Sequence, residues 1–400
     1  MSSNLFSAVE LAPRDPILGL TEAFQADTRA TKVNLGVGVY TDEAGKIPLL
    51  AAVREAEQKR VAAGLPRGYL PIEGIAAYNS GVQTLLFGKD AAVLAAGRVA
   101  TFEALGGTGG LKVGADFLRR LDPHTEVWIS DPSWENHRAL FEGAGFKVNV
   151  YPYYNPKTHG IDFERMIDCL NTLPTGAIVI LHACCHNPTG VDLSDEQWRV
   201  VTEVVKQRDL TPFLDLAYQG FGDGVEQDAF SLRLFAAQMP TLLASSSFSK
   251  SFSLYGERVG ALSIMTRDKD ETTRVISQVK RVIRTNYSSP PTHGAAVVST
   301  VLASAELRVL WDKDLAEMRD RIKAMRVGFV EGLKARGVDR DFSFVAEQRG
   351  MFSYSGLNSA QVDRLRNEFG IYAIGTGRIC LAALNKSNLP YVLDAIKVVL

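Results

Sequence analysis

A lysine set among hydroxyls, with an arginine eight residues on, is the first group in this chain whose residue types could do chemistry. The run is Ser245-Ser-Ser-Phe-Ser-Lys-Ser-Phe-Ser-Leu-Tyr-Gly-Glu-Arg258. Most lysines are solvated surface charges, but Lys250 directly follows an apolar segment that reads as a strand. Ser247, Ser249 and Arg258 are suited to hold a phosphate dianion, because arginine offers planar bidentate donors beside the hydroxyls. An amine next to such a site can condense with an aldehyde. An aldehyde that also carries a phosphate describes pyridoxal phosphate.

Three further segments offer groups for the same purpose. Ala104-Leu-Gly-Gly-Thr-Gly-Gly-Leu111 runs into Lys112–Arg120, a glycine-rich turn opening a helix, which aims backbone N–H groups at an anion. Its spacing is not the dinucleotide GxGxxG, and alone it specifies only a tight turn before a core helix. Asp215, in Leu214-Asp-Leu-Ala-Tyr-Gln219, stands at the end of an apolar run, where open α/β sheets bind ligands. A carboxylate there can pair with a pyridine nitrogen and keep the ring an electron sink, although alone it would read as a helix cap. Tyr218 follows three residues later. In Leu181-His-Ala-Cys-Cys-His-Asn-Pro-Thr-Gly190 the His-x-Cys-Cys-His spacing does not suit zinc, since strand neighbours point to opposite faces. Asn187 begins a turn and, like Tyr218, could bond a phenolic oxygen.

These residues need a scaffold, and the pattern supplies one. Short, continuous apolar runs at Val127–Ser130, Ala177–His182, Pro212–Leu216, Leu242–Ser246 and Ala261–Met265 predict strands covered on both faces. They alternate with amphipathic helices, one announced by the capping box Ser194-Asp-Glu-Gln197. Strand–helix alternation implies an α/β fold with a mainly parallel sheet. Trp311, Leu315, Met318, Ile322, Met325, Phe329 and Leu333 recur at steps of three and four and predict one long helix of about 35 Å, ended by Gly337. Short strands near Met351–Tyr354, Ile371–Ile374 and Ile379–Leu381, with helices Ala360–Phe369 and Leu389–Leu400, suggest a small α+β domain. The apolar run Val33–Tyr40 is expected to join it. The division expected is 1–47 as an N-terminal arm and part of the small domain, 48–317 as the large domain, and 318–400 as the small domain.

Composition narrows the function classes. The chain has 400 residues, enough for two domains, with 46% hydrophobic and 22% charged residues, as in soluble globular proteins. Lys and Arg number 44 and Asp and Glu 45, a net charge of −1. Nothing in that balance favours nucleic acid or an anionic membrane. The first residues form no secretory signal, and the longest uncharged stretches contain Pro, His and Asn and do not read as membrane spans. Cys169, Cys184, Cys185 and Cys380 form no CxxC pair and are expected to be reduced in a cytoplasmic protein.

Taken in order, GGTG, SDPSWENH, HNPTG, DLAYQGF, SFSKSFSLYGERVG, NYSSPP, RGMFSYSGL and GRI resemble the class I, fold-type-I aminotransferases, and within them the aspartate and aromatic amino-acid subgroup. The likeness runs from about Val33 to the C-terminus. It implies pyridoxal 5'-phosphate as cofactor, a large cofactor-binding domain, a small domain built from both termini, no metal, and a homodimer with shared sites. Lys250 would be the Schiff-base lysine and the proton-transferring base, and Asp215 would pair with the pyridinium nitrogen. His137 and His182 would support that aspartate. Trp134 would stack on the ring, while Asn187 and Tyr218 hold the phenolic oxygen. Gly107, Thr108, Ser247, Ser249 and Arg258 would grip the phosphate, joined by Tyr69 from the neighbouring subunit. Arg378 would bind the substrate α-carboxylate, Gly38 would bring backbone close to it, and Arg284 from the other subunit would meet a side-chain carboxylate.

Two departures bear on the substrate. Ser289 stands where many aspartate-specific members carry Asn, and Tyr69-Leu-Pro-Ile replaces their frequent Tyr-Leu-Gly-Ile. Both features resemble bacterial aromatic aminotransferases, so phenylalanine, tyrosine and aspartate are the expected donors and 2-oxoglutarate the acceptor. The alternative is a strict aspartate aminotransferase. A nicotinamide dehydrogenase would leave the Lys250 cluster unexplained, and a non-catalytic regulator would need a nucleic-acid-binding module that the chain does not resemble.

Overall fold

In the computed structural model, which describes residues 4–12 and 17–400, seven strands form one sheet. They are β1 (Val99–Leu105), β2 (Glu126–Asp131), β3 (Lys147–Pro152), β4 (Ile178–His182), β5 (Thr211–Leu216), β6 (Leu242–Ser247) and β7 (Val259–Met265). Across the sheet they run β1-β7-β6-β5-β4-β2-β3. Only β7 is antiparallel to its neighbours β1 and β6, and every other pairing is parallel.

Alternation along the strands separates two cores. Ile178, Ile180, Phe213, Leu243, Leu262 and Ile264 face one layer, with the helices Gly106–Leu121 and Lys269–Asn286 over them. Val179, Leu181, Leu214, Leu242, Ala244 and Ala261 face the other. This is why the central strands read as unbroken apolar runs. Packing is close: a Cβ on Gly114 would lie 2.6 Å from Phe213 Cζ.

The five expected strands are present within two residues of their expected bounds. Two were not foreseen. Strand β1 carries Thr101 and Glu103 within its apolar run, and β3 lies at the sheet edge with mixed exposure. Neither gives the continuous apolar signal of a central strand.

The long helix spans Ala305–Ala335, 31 residues, or about 46 Å, longer than expected because the Ser304 cap begins it before the first periodic tryptophan. Its N-terminal part carries Trp311, whose indole donates to the Ser251 carbonyl at 2.6 Å and stacks on Phe252 at 4.5 Å. Its C-terminal part packs Phe329 against Phe342. One rigid element thus touches both the lysine loop and the C-terminal segment. There, Phe352–Tyr354 pairs antiparallel with Arg378–Cys380, and Val33–Asn34 pairs in parallel with Ile371–Tyr372.

No single helix among the described residues is long and apolar enough to cross a membrane. Helices His293–Ala303 and Ala305–Ala335 pass by length and composition only when joined across a 104° bend.

Candidate active site

The parallel strands β4, β5 and β6 end at one edge, and register brings their last residues side by side. His182 pairs with Asp215, and Asp215 with Ser245. Just beyond β6 the chain turns and presents Lys250, whose Nζ lies 4.8 Å from the centre of the Tyr218 ring. Burial and the nearby Arg258 pull its ammonium down to about 8, against the opposing effect of Asp215. A lysine so placed has an accessible neutral form near physiological pH, which a nucleophilic amine requires.

Asp215 is 4% exposed and accepts from His137 Nε2 at 2.9 Å, whose Nδ1 in turn lies 2.9 Å from Ser133 Oγ. Burial alone would raise the carboxyl pKa, but the hydrogen bond and charge interaction with His137 outweigh it, with smaller contributions from His182 and Lys250, and hold Asp215 below its ordinary value. His182 does not join this bond. Its two ring nitrogens are buried without a partner, the ring sits 4.9 Å from that of His137, and burial pushes its pKa well down. His137 bonds the Asp215 carboxylate directly, while His182 lies beside the pair without a hydrogen bond to it and adds a smaller electrostatic pull on the same carboxyl.

Opposite this end, helix Gly106–Leu121 starts without a side-chain cap, so helix geometry leaves the N–H groups of Gly107 and Thr108 unpartnered within it. Gly106 needs its missing side chain: its φ is +69°, and a Cβ would lie 2.6 Å from Arg258 Nη2. Arg258 is held at φ +54°, its carbonyl accepting from Gly106 N–H at 3.0 Å. Its Nη1 reaches Ser249 Oγ at 3.4 Å and the Tyr255 carbonyl at 3.0 Å. Ser247 Oγ accepts from Ser249 N–H at 3.3 Å. Free helix N–H groups, two serine hydroxyls and a guanidinium with no carboxylate among the described residues are donors that could hold a phosphate dianion.

A cleft of about 530 Å³ adjoins Lys250, lined among others by Gly38, Trp134, Asn187, Tyr218, Phe352 and Arg378. Arg378 is 1% exposed. It donates through Nη2 to the Gly36 carbonyl at 2.7 Å and through Nη1 to Asn187 Oδ1 at 3.1 Å, and its Nε has no partner. A buried guanidinium with only neutral partners is suited to an incoming carboxylate. Asn187 also donates to Tyr218 Oη at 3.4 Å. Trp134 meets His137 edge-on at 5.3 Å.

A family model described as aminotransferase class I and II matches residues 30–396. The chain belongs to that family. The aspartate aminotransferase of Pseudomonas aeruginosa is 65% identical over 397 residues, 99% of this chain and 100% of that one. The aromatic-amino-acid aminotransferase of Escherichia coli K12 is 51% identical, over 99% of this chain and 100% of that protein. Among solved structures, the aromatic-amino-acid aminotransferase from Burkholderia pseudomallei, covalently bound to pyridoxal phosphate, is 70% identical with a TM-score of 0.97, covering 99% and 100% of the two chains. An aromatic amino-acid aminotransferase from Psychrobacter sp. B6, cocrystallised with aspartic acid, is 48% identical with a TM-score of 0.96, covering 99% of each.

Within this aminotransferase the residues singled out in the sequence fall into three groups. Gly38, Trp134, Asn187, Tyr218, Lys250 and Arg378 line one cleft. Asp215 lies behind it, and Gly107, Thr108, Ser247, Ser249 and Arg258 belong to the helix start and the loop that could hold an anion. Tyr69 and Arg284 do not join them in the single chain. Tyr69 is 100% exposed, and Arg284 is exposed on helix Lys269–Asn286, bonded to Ser288. Sequence reasoning missed Phe352, whose ring lies 4.3 Å from the Arg378 guanidinium. It sits in the RGMFSYSGL motif but carries no reactive group, so only the fold exposes its place.

Proposed function

We propose that this aminotransferase moves the amino group of aromatic and acidic L-amino acids, phenylalanine, tyrosine and aspartate, to 2-oxoglutarate, using pyridoxal 5'-phosphate held by Lys250. The observation that carries this reading is the cleft and its surroundings, where a lysine with a lowered pKa stands near an ionised buried carboxylate, an uncapped helix start beside Arg258, and the buried Arg378 with only neutral partners. A phosphorylated pyridine aldehyde fits this donor set, and no metal is needed to complete it.

When bound, the cofactor supplies an electron sink conjugated to the substrate Cα. Arg258, Ser247, Ser249 and the N–H groups of Gly107 and Thr108 hold its phosphate. Asp215, kept ionised by His137, holds a proton on the ring nitrogen. Tyr218 and Asn187, already bonded to each other, would hold the phenolic oxygen, and Trp134 in the cleft wall would pack against the ring. Arg378 binds the α-carboxylate as a fork, beside the closely approached backbone of Gly38. So oriented, the substrate would present its Cα–H to Lys250 Nζ, placed to take that proton and deliver it to C4′, the carbon on the far side of the substrate nitrogen.

The protein works as a homodimer in the cytoplasm on this reading, with the partner subunit's Tyr69 reaching the phosphate and the partner subunit's Arg284 meeting a distal carboxylate. Support comes from their exposure in the single chain and from four free cysteines. The domain division runs 1–47 with 318–400 as the small domain and 48–317 as the large one, supported by the pairing of Val33–Asn34 with Ile371–Tyr372. A strict aspartate aminotransferase is the second reading, favoured by the name of the 65% identical relative. Mixing the loaded enzyme with single amino acids and following loss of the cofactor's absorbance band tests both. Aspartate and phenylalanine should each discharge it, and response to aspartate alone selects the second reading.

A further inference from the structure

Arg326 lies in the long helix and is 1% exposed, yet it faces no carboxylate at ion-pair distance among the described residues. Its guanidinium instead gathers carbonyl oxygens. Nη1 donates to Val345 at 2.9 Å, and Nη2 lies 3.2 Å from the Arg349 oxygen, 2.8 Å from that of Gly350 and 2.6 Å from that of Phe352. Burial brings its pKa down to about 10, which still leaves a cation at neutral pH. A buried cation without an anion is costly, and an apolar side chain could fill the same volume. What an apolar side chain cannot do is tie four carbonyls of one segment to a helix with a planar fork.

That segment meets the cleft on its other side. Arg349 N–H donates to the Gly190 carbonyl at 2.6 Å, and a Cβ on Gly190 would lie 2.4 Å from the Phe352 oxygen. The Phe352 ring stands 4.3 Å from the Arg378 guanidinium and meets Tyr218 edge-on at 6.0 Å. A Cβ on Gly38 would lie 2.5 Å from its Cζ. The ring is wedged among three cleft residues, while the carbonyl of the same residue is held by Arg326.

We infer that Arg326 is a positioning residue for carboxylate recognition: by holding the Phe352 carbonyl it sets the ring on which the Arg378 guanidinium rests. The inference rests on the reading of Arg378 as the carboxylate-binding arginine. Losing the fork lets the Phe352 peptide turn, the ring drop, and Arg378 lose the surface that keeps it level with the cleft. Cofactor retention should not suffer, because Asp215 stands on β5 and Lys250 and Arg258 on the connection between β6 and β7, outside the segment that Arg326 holds.

The test is equilibrium binding of 3-phenylpropionate, a carboxylate without an amino group, to the loaded enzyme, read from the cofactor's absorbance. Arg326→Lys should weaken this binding by about tenfold, the scale of a charged hydrogen bond, at unchanged cofactor content. Phe352→Leu, which keeps the carbonyl, should weaken it similarly. The double variant should be no more than about twofold worse than the worse single one, since both act through one ring. Unchanged affinity in Arg326→Lys, with only a lower Tm, overturns the inference, as do losses that multiply in the double variant. If Arg326→Lys does not fold, Phe352→Leu decides alone, and unchanged affinity there overturns it. Arg378→Lys separates the two layers: weakened binding there upholds the parent reading when Arg326 fails, and unchanged binding overturns both.

Discussion

Arg378 Nη1 donates to Asn187 Oδ1 at 3.1 Å, and the same asparagine donates to Tyr218 Oη at 3.4 Å. The residue assigned to the substrate carboxylate and those assigned to the cofactor's phenolic oxygen therefore share one chain of bonds. Removing one side of a desolvated arginine–carboxylate pair costs ~2–5 kcal/mol. Arg378→Ala should lower kcat/KM by roughly thirty-fold to several thousand-fold. Aspartate and phenylalanine should lose alike, because both carry the same α-carboxylate. A loss confined to one of them would assign Arg378 to a side chain.

Lys250 sets a pH dependence. Its ammonium is pulled from 10.5 to about 8, so the cofactor-free folded state disfavours the charged form relative to the unfolded chain. The resulting destabilisation is fully present below pH 8 and is relieved as pH rises from about 8 towards 10.5. Trapping of a small aldehyde by the cofactor-free protein should rise with a midpoint near pH 8. Asp215→Asn should move that midpoint down, because the carboxylate favours the ammonium, and Arg258→Gln should move it up. Shifts of the opposite sign would contradict the assigned charges.

On the proposed reading the substrate range turns on the partner subunit's Arg284. With an acidic donor it would lie inward on the distal carboxylate. With an aromatic donor it would swing out, since a buried unpaired guanidinium is costly. Arg284→Leu should therefore hurt aspartate far more than phenylalanine, by at least ~1.5–3 kcal/mol. Ser289→Asn should tilt preference towards aspartate by less. Comparable kcat/KM losses for both donors in Arg284→Leu would remove the switching arginine from the account.

Shared sites require a dimer. Inactive Lys250→Ala mixed with an Arg284 variant should regain acidic-substrate activity in one site per heterodimer, whereas Lys250→Ala mixed with Arg258→Ala should not. Solution scattering reads the assembly directly, and a fully active monomer would contradict it.

The reactive part of this site was legible because its residues carry functional groups at strand ends. Lys250, Asp215 and Asn187 each follow an apolar run, and the sheet brings those runs into register. Strands β1 and β3 were not legible, because Glu103 interrupts one and edge exposure mixes the pattern of the other. Nor were Phe352 and Arg326, whose places depend on a loop folding back over the long helix at separations of 19 to 26 residues. Which of the two histidines bonds Asp215 was not legible either, because both stand near the carboxylate and only the fold shows that His137 makes the bond.

The central claim is that Lys250 carries the cofactor covalently and moves the proton. Reducing the loaded enzyme with borohydride and mapping its peptides by mass spectrometry tests the first half, and turnover of Lys250→Ala tests the second. The account predicts the phosphopyridoxyl mass on Lys250 alone and no measurable transamination in the variant, with cofactor still bound through Arg258. The label on another lysine, or near-normal turnover in Lys250→Ala, would contradict it.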